Sequence, residues 1–159
     1  MGNVVVEMSD LKVSKNAEDT LITFALGSCI ALMLYDPKLQ IAGMIHYMLP
    51  LSKTAPEKAE LKPAMFGDTG IPLLFHSMYK QGSKRENLRI IVVGGAQVYN
   101  DNGVFEIGKK NYTVLRKLLW KNNLMITTED VGGNDSRTAR INVSDGKVII
   151  RSKGSEYEL

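Results

Sequence analysis

The sequence predicts a mixed α/β domain with about seven strands and two main helices. Three observations carry this. Short apolar or alternating runs recur along the chain, punctuated by Gly, Pro, Asp and Asn. Two longer stretches show helical rather than alternating periodicity. The composition, 44% hydrophobic and 23% charged, is that of a globular chain that buries a core in water. At 159 residues the chain is read as one domain spanning 1–159, long enough to bury roughly two-thirds of its unfolded surface.

The elements follow in order. "LITFAL" reads as a strand. "CIALMLY" alternates into "DPKL", where Asp36 before Pro37 opens a turn. "QIAGMIHYML" returns, making Cys29 to Leu49 a hairpin. The polar, proline-bounded "PLSKTAPEKAELKP", residues 50–63, is long for a structureless loop and is a candidate lid. "FGDTGIPLLFHSMYKQG" reads as a helix, with Asp68 or Thr69 as its cap, Pro72 near its first turn and Gly82 closing it. "LRIIVVGG" is a buried strand ending on Gly94 and Gly95. "IGKKNYTVLRKLLWKNN" sets Leu115, Leu118 and Leu119 opposite basic residues, an amphipathic helix ending at Asn122 or Asn123. "LMITTED", "TARINV" and "KVIIRS" are further strands, the last two joined by a turn at "SDG".

Composition narrows the function classes. A net charge of +3 is weak, and Lys109, Lys110, Arg116, Lys117 and Lys121 on one helix read as a solvated face rather than a nucleic-acid stripe. The most apolar stretch, Leu21 to Tyr35, is too short to span a bilayer, so no membrane insertion is expected. "MGNVVVEMSDLK" has no secretory pattern, and Val6 breaks the myristoylation motif. A single cysteine fits a reducing compartment, so the expected location is cytoplasmic.

That cysteine, Cys29, shares the hairpin with His46, one of two histidines. A turn on Pro37 and Lys38 would set Asp36 against Leu39 and Cys29 directly against His46, with Cβ atoms about 4.5–5.5 Å apart. Both would lie on one face with Ala31, Met33, Ala42 and Met44, leaving Ile30, Leu32, Leu34, Ile41 and Ile45 on the other. A longer turn would shift this register. A histidine in reach of a thiol can take its proton, and the thiolate can attack an acyl carbon. Backbone N–H groups at the Gly27-Ser28-Cys29 bend are candidates for holding the resulting oxyanion. The bland alternative is the commoner case: a lone Cys in an apolar strand is more often a small buried hydrophobe, and a lone His nearby a satisfied structural residue. Too few Cys, His and carboxylates stand at ligand spacing for a metal site. His76 reads as a surface or boundary histidine. The residues by themselves leave both readings of the pair open.

"TFALGSCIALMLYDP" followed by "IAGMIHYMLP" resembles the signature of the CheD family of bacterial chemoreceptor glutamine deamidases. "MFGDTGIPLL", "VVGGAQVY" and "TEDVGGNDSRTARINVSDGKVIIR" resemble its later segments in the same order, although Phe66 stands where many relatives have tyrosine. The resemblance implies a layered α/β sandwich like the catalytic domain of the cytotoxic necrotizing factor toxins. It implies Cys29 as nucleophile, His46 as general base and acid, and Thr23 as the group orienting the histidine. Gly27, Ser28 and Asn134 are candidates for lining the site. The implied reaction is hydrolysis of a glutamine side-chain amide on a chemoreceptor's cytoplasmic helical bundle, with glutamate methylesterase activity as a related option and no cofactor. A CheC-type phosphatase is the implied partner, with receptor clusters as a place of action. The alternative function is a non-catalytic module docking on receptors or that phosphatase.

Overall fold

The computed structural model describes residues 2–97 and 106–159, so Val98 and Tyr99 of "VVGGAQVY" lie outside the described residues. Ten strands are present among these residues: β1 Gly2–Val5, β2 Asp10–Ser14, β3 Asp19–Leu26, β4 Ile30–Asp36, β5 Ile41–Tyr47, β6 Arg89–Gly94, β7 Thr128–Val131, β8 Arg137–Asn142, β9 Val148–Ser152 and β10 Ser155–Glu158. Helices α1 (Pro56–Leu61), α2 (Gly67–Lys80) and α3 (Ile107–Lys121) complete the list, with short 3-10 turns at Ser52–Thr54, Pro63–Met65 and Arg85–Asn87. The mixed α/β class therefore holds, and the two main helices fall where their periodicity puts them.

The strands form two five-stranded sheets, ordered β1-β3-β8-β9-β10 and β2-β5-β4-β6-β7. Pairing is mostly antiparallel; β1 with β3 and β6 with β7 are parallel. One apolar cluster, including Leu21, Ala31, Met33, Met44, Ile141 and Ile150, fills the space between the sheets. A second, including Ile30, Leu32, Ile45, Leu74, Met78 and Leu115, lies between the second sheet and the helices. β4 and β5 have core on both sides, which is why all their residues are buried.

The β4–β5 hairpin keeps the expected faces but not the expected register. Asp36 pairs with Ile41, not Leu39, and Ala31 pairs with His46. The cause is the Asp36 side chain, whose Oδ1 accepts the backbone N–H of Lys38 at 2.9 Å and of Leu39 at 3.1 Å. Those bonds stabilise a longer loop that ends with Gln40 in the left-handed region, φ 55°. Because the slip is two positions, side chains stay on their own faces.

Two further expectations are corrected. Residues 50–63 are not a structureless loop: they fold into two 3-10 turns around α1, and Met48 and Leu49 both donate to the Met65 carbonyl. In α2 neither Asp68 nor Thr69 is the cap; Phe66 is, without a side-chain cap bond. Asp68 instead accepts from the N–H and hydroxyl of Ser52, both at 2.9 Å, and Thr69 donates to the Pro63 carbonyl at 2.6 Å. These bonds fasten the preceding turns to the helix. Pro72 lies inside α2 on its exposed side, at the cost of one helix bond.

Candidate active site

Thr23 comes from the first sheet, and His46 from the second. They meet across the inter-sheet space with 2.7 Å between Thr23 Oγ1 and His46 Nδ1. Thr23 is 1% exposed and His46 4% exposed, so the hydroxyl and Nδ1 bond to each other rather than to bulk solvent. The Thr23 hydroxyl also lies 2.7 Å from the Val6 carbonyl, which can only accept. Its single hydrogen therefore goes to Val6, and its oxygen must accept from His46 Nδ1–H. That assignment fixes the tautomer: Nε2 carries the lone pair.

Nε2 is buried and has no hydrogen-bond partner. Cys29 immediately precedes the Ile30–Tyr47 pair that ends the β4–β5 ladder, and it packs on the inter-sheet face, the face to which alternation along β5 also assigns His46. Cys29 is partly buried against the inter-sheet core. Since Nε2 is unpartnered, no thiol–imidazole hydrogen bond exists at rest. Burial pushes the thiol up to about 11 and the imidazole down to about 4. Both groups are thus neutral near pH 7, a proton donor and a proton acceptor rather than a preformed ion pair.

The backbone around the thiol is closely held. Gly95 N–H donates to the Cys29 carbonyl and Ala96 N–H to that of Gly27, both at 2.8 Å. Gly94 has φ 114°, and a Cβ there would lie 2.3 Å from the Cys29 oxygen, so only glycine fits. Cys29 opens into a cleft of about 490 Å³ whose lining includes Gly27, Ser28, Gln97, Lys109 and Gly133.

The structure brings Thr23 to His46 and sets Gly27 and Ser28 beside Cys29 in the cleft wall. Asn134 is exposed and follows Gly133 at the rim without lining the cleft. Among the described residues, none of the 50–63 segment lines the cleft. His76 and the α3 lysines and arginine are exposed. Among the described residues, no three His, Cys, Asp or Glu side chains group as a metal site.

Two residues near this site went unnoticed in the sequence. Asn111 is fully buried and donates to the carbonyls of Ser28 and Met48. Its signal was a polar residue on the 111-115-119 stripe of α3, otherwise leucine. Arg137, 9% exposed, reaches from β8 to the Gly94 carbonyl and to Asp130 on β7, with contacts of 3.4 Å to each. It ties the two sheets together behind the cleft.

The sequence profile described as "CheD chemotactic sensory transduction" matches residues 48–152. The chain is 48% identical over 154 residues to "Probable chemoreceptor glutamine deamidase CheD 1" of Syntrophus aciditrophicus (strain SB), covering 97% of this chain and 96% of that one. The chain belongs to the CheD family. A second family member, "Probable chemoreceptor glutamine deamidase CheD" of Solibacter usitatus (strain Ellin6076), is 43% identical over all 159 residues and 94% of its own length. A relative of the same name, from Methanococcus maripaludis (strain C6 / ATCC BAA-1332), is 38% identical over 96% of both chains. The family profile begins at Met48, just past His46, whereas the Solibacter alignment takes in Thr23, Cys29 and His46.

Proposed function

We propose that this CheD-family chain hydrolyses glutamine side-chain amides on chemoreceptors to glutamate and ammonia, with Cys29 as nucleophile. The observation that carries the reading is the tautomer-locked His46, whose free, buried Nε2 lies on the same strand face as the only thiol, beside a cleft. The thiol sulfur attacks the amide carbon while Nε2 takes the thiol proton. Backbone N–H groups at the Gly27–Ser28–Cys29 bend meet the oxyanion. The imidazolium then protonates the amide nitrogen, and ammonia leaves a thioester on Cys29. Water, deprotonated by Nε2, attacks the thioester; glutamate departs and the thiol is restored. Thr23 keeps Nε2 available through both halves. Asn134, at the rim, is assigned a contact with the substrate helix.

A glutamate methyl ester fits the same steps with methanol leaving. The partners of the reading are the receptor's cytoplasmic helical bundle and, by family resemblance, a CheC-type phosphatase, with action in the cytoplasm at receptor clusters. No helix among the described residues is long and apolar enough to cross a membrane.

Ammonia and methanol release from purified receptor cytoplasmic fragments, bearing glutamine or glutamate methyl esters, tests the proposal. Release from one or both by the native chain and from neither by Cys29→Ala is the expected result. Binding of fragments with no release by the native chain would contradict it and favour docking alone.

A further inference from the structure

We propose that Asn111 is a positioning residue of this site, whose carboxamide fixes the Cys29 backbone against β5 and so sets the reach of the thiol to His46 Nε2. The inference rests on the catalytic reading of Cys29 and His46 given above.

The β4–β5 ladder ends at the Ile30–Tyr47 pair. Beyond that pair the two chains have no ladder bond to hold them together, and Cys29 lies in this stretch. Asn111 supplies the link from the side. Its Nδ2 donates one hydrogen to the Ser28 carbonyl at 2.9 Å and the other to the Met48 carbonyl at 2.8 Å. Ser28 immediately precedes the nucleophile, and Met48 follows the base by two residues. One amide group thus spans the two chains at the height of the reacting atoms.

The chemistry of the group agrees. Asn111 is 0% exposed, and its Oδ1 is buried without a partner. Turning the carboxamide over would aim that oxygen at two carbonyl oxygens, so the orientation is fixed by its donors. Both N–H bonds are used while the acceptor is idle; the side chain is retained for what it donates. The helix that carries it is anchored at the same level. The Tyr47 hydroxyl donates to the Asn111 backbone carbonyl at 2.6 Å. One turn earlier, a Cβ at Gly108 would lie 2.6 Å from the Gly95 and Ala96 oxygens, a closeness that lets α3 approach far enough for Asn111 to reach.

With Asn111, the carbonyls of Gly27, Ser28 and Cys29 all accept hydrogen bonds, from Ala96, Asn111 and Gly95. Two of the three come from the backbone after β6, and only the Asn111 bond also contacts the chain that carries His46.

Alkylation of Cys29 by iodoacetamide reads the thiol's coupling to His46 without any receptor substrate. The rate is measured across the neutral and alkaline range for the native chain, His46→Ala, Asn111→Ala and Asn111→Gln, each checked for folding by circular dichroism. His46→Ala is expected to slow neutral-pH alkylation by about tenfold or more. Both Asn111 variants should lie closer to the His46→Ala rate than to the native one. On receptor fragments they should lose on the order of 10- to 100-fold in kcat with little change in KM. If the alanine variant does not fold, the glutamine variant, which keeps the amide one methylene further out, carries the test. A folded Asn111 variant with the native alkylation profile, beside a slowed His46→Ala, overturns the positioning role alone. A native rate in His46→Ala would show that thiol and imidazole are uncoupled, and would overturn the catalytic reading and the positioning role together.

Discussion

His46 has its charge state set by burial and its tautomer set by Thr23. An unfolded histidine titrates near 6.5, whereas burial brings the folded one down to about 4. Between those values the unfolded chain takes up a proton that the folded chain refuses, so stability falls as pH drops through this window. At about 1.36 kcal/mol per pKa unit the loss reaches at most about 3 kcal/mol below pH 4. Urea unfolding across a pH series should show this slope, and His46→Asn should flatten it. Thr23→Val keeps the shape of the side chain but leaves the Val6 carbonyl and His46 Nδ1 unpaired. It should cost about 1–3 kcal/mol in the same assay and lower kcat on the order of 100-fold by freeing the tautomer. Thr23 was legible in the sequence only through the family resemblance, since a strand threonine has no distinguishing pattern. Asn111 stands out only as a polar residue on an otherwise leucine stripe, and neither its role nor that of Arg137 is legible, because each depends on partners distant in sequence, Ser28 for one and Gly94 for the other.

The hairpin shows how local chemistry sets the elements. Its two faces were readable from period-two alternation, but its register depended on whether Asp36 capped a two-residue or a four-residue loop. Asp36→Ala removes the acceptor for the Lys38 and Leu39 amides and should cost about 1–3 kcal/mol, read as a shifted urea midpoint. Cys29 alkylation should be unchanged, because β2 and β6 also hold β5 and β4 in place. The strands missed in the sequence, β1, β2 and β10, are four- and five-residue edge strands with little buried on either face. β1 and β10 lack the alternation that a half-buried strand displays; β2 has it, with Leu11 and Val13 turned to the core, but over only five residues. Residues 50–63 read as a loop because their order comes from bonds to α2 rather than from their own pattern.

Two sheets and a helical layer converge on the Cys29–His46 region, each contributing something the others lack. The first sheet supplies Thr23, the second His46 and the start of the strand after Cys29, and α3 supplies Asn111. The mixed α/β class could be read from element types, but the layering could not. It depends on β3 pairing with β8 more than a hundred residues later, and on Arg137 bridging β8 to β6 and β7. The most direct measurement is peptide mass spectrometry of glutamine-bearing receptor cytoplasmic fragments after incubation with the native chain or Cys29→Ala. Conversion of specific glutamines to glutamates by the native chain only is the expected result. Conversion that persists in Cys29→Ala, or its absence with the native chain despite fragment binding, would contradict a catalytic Cys29.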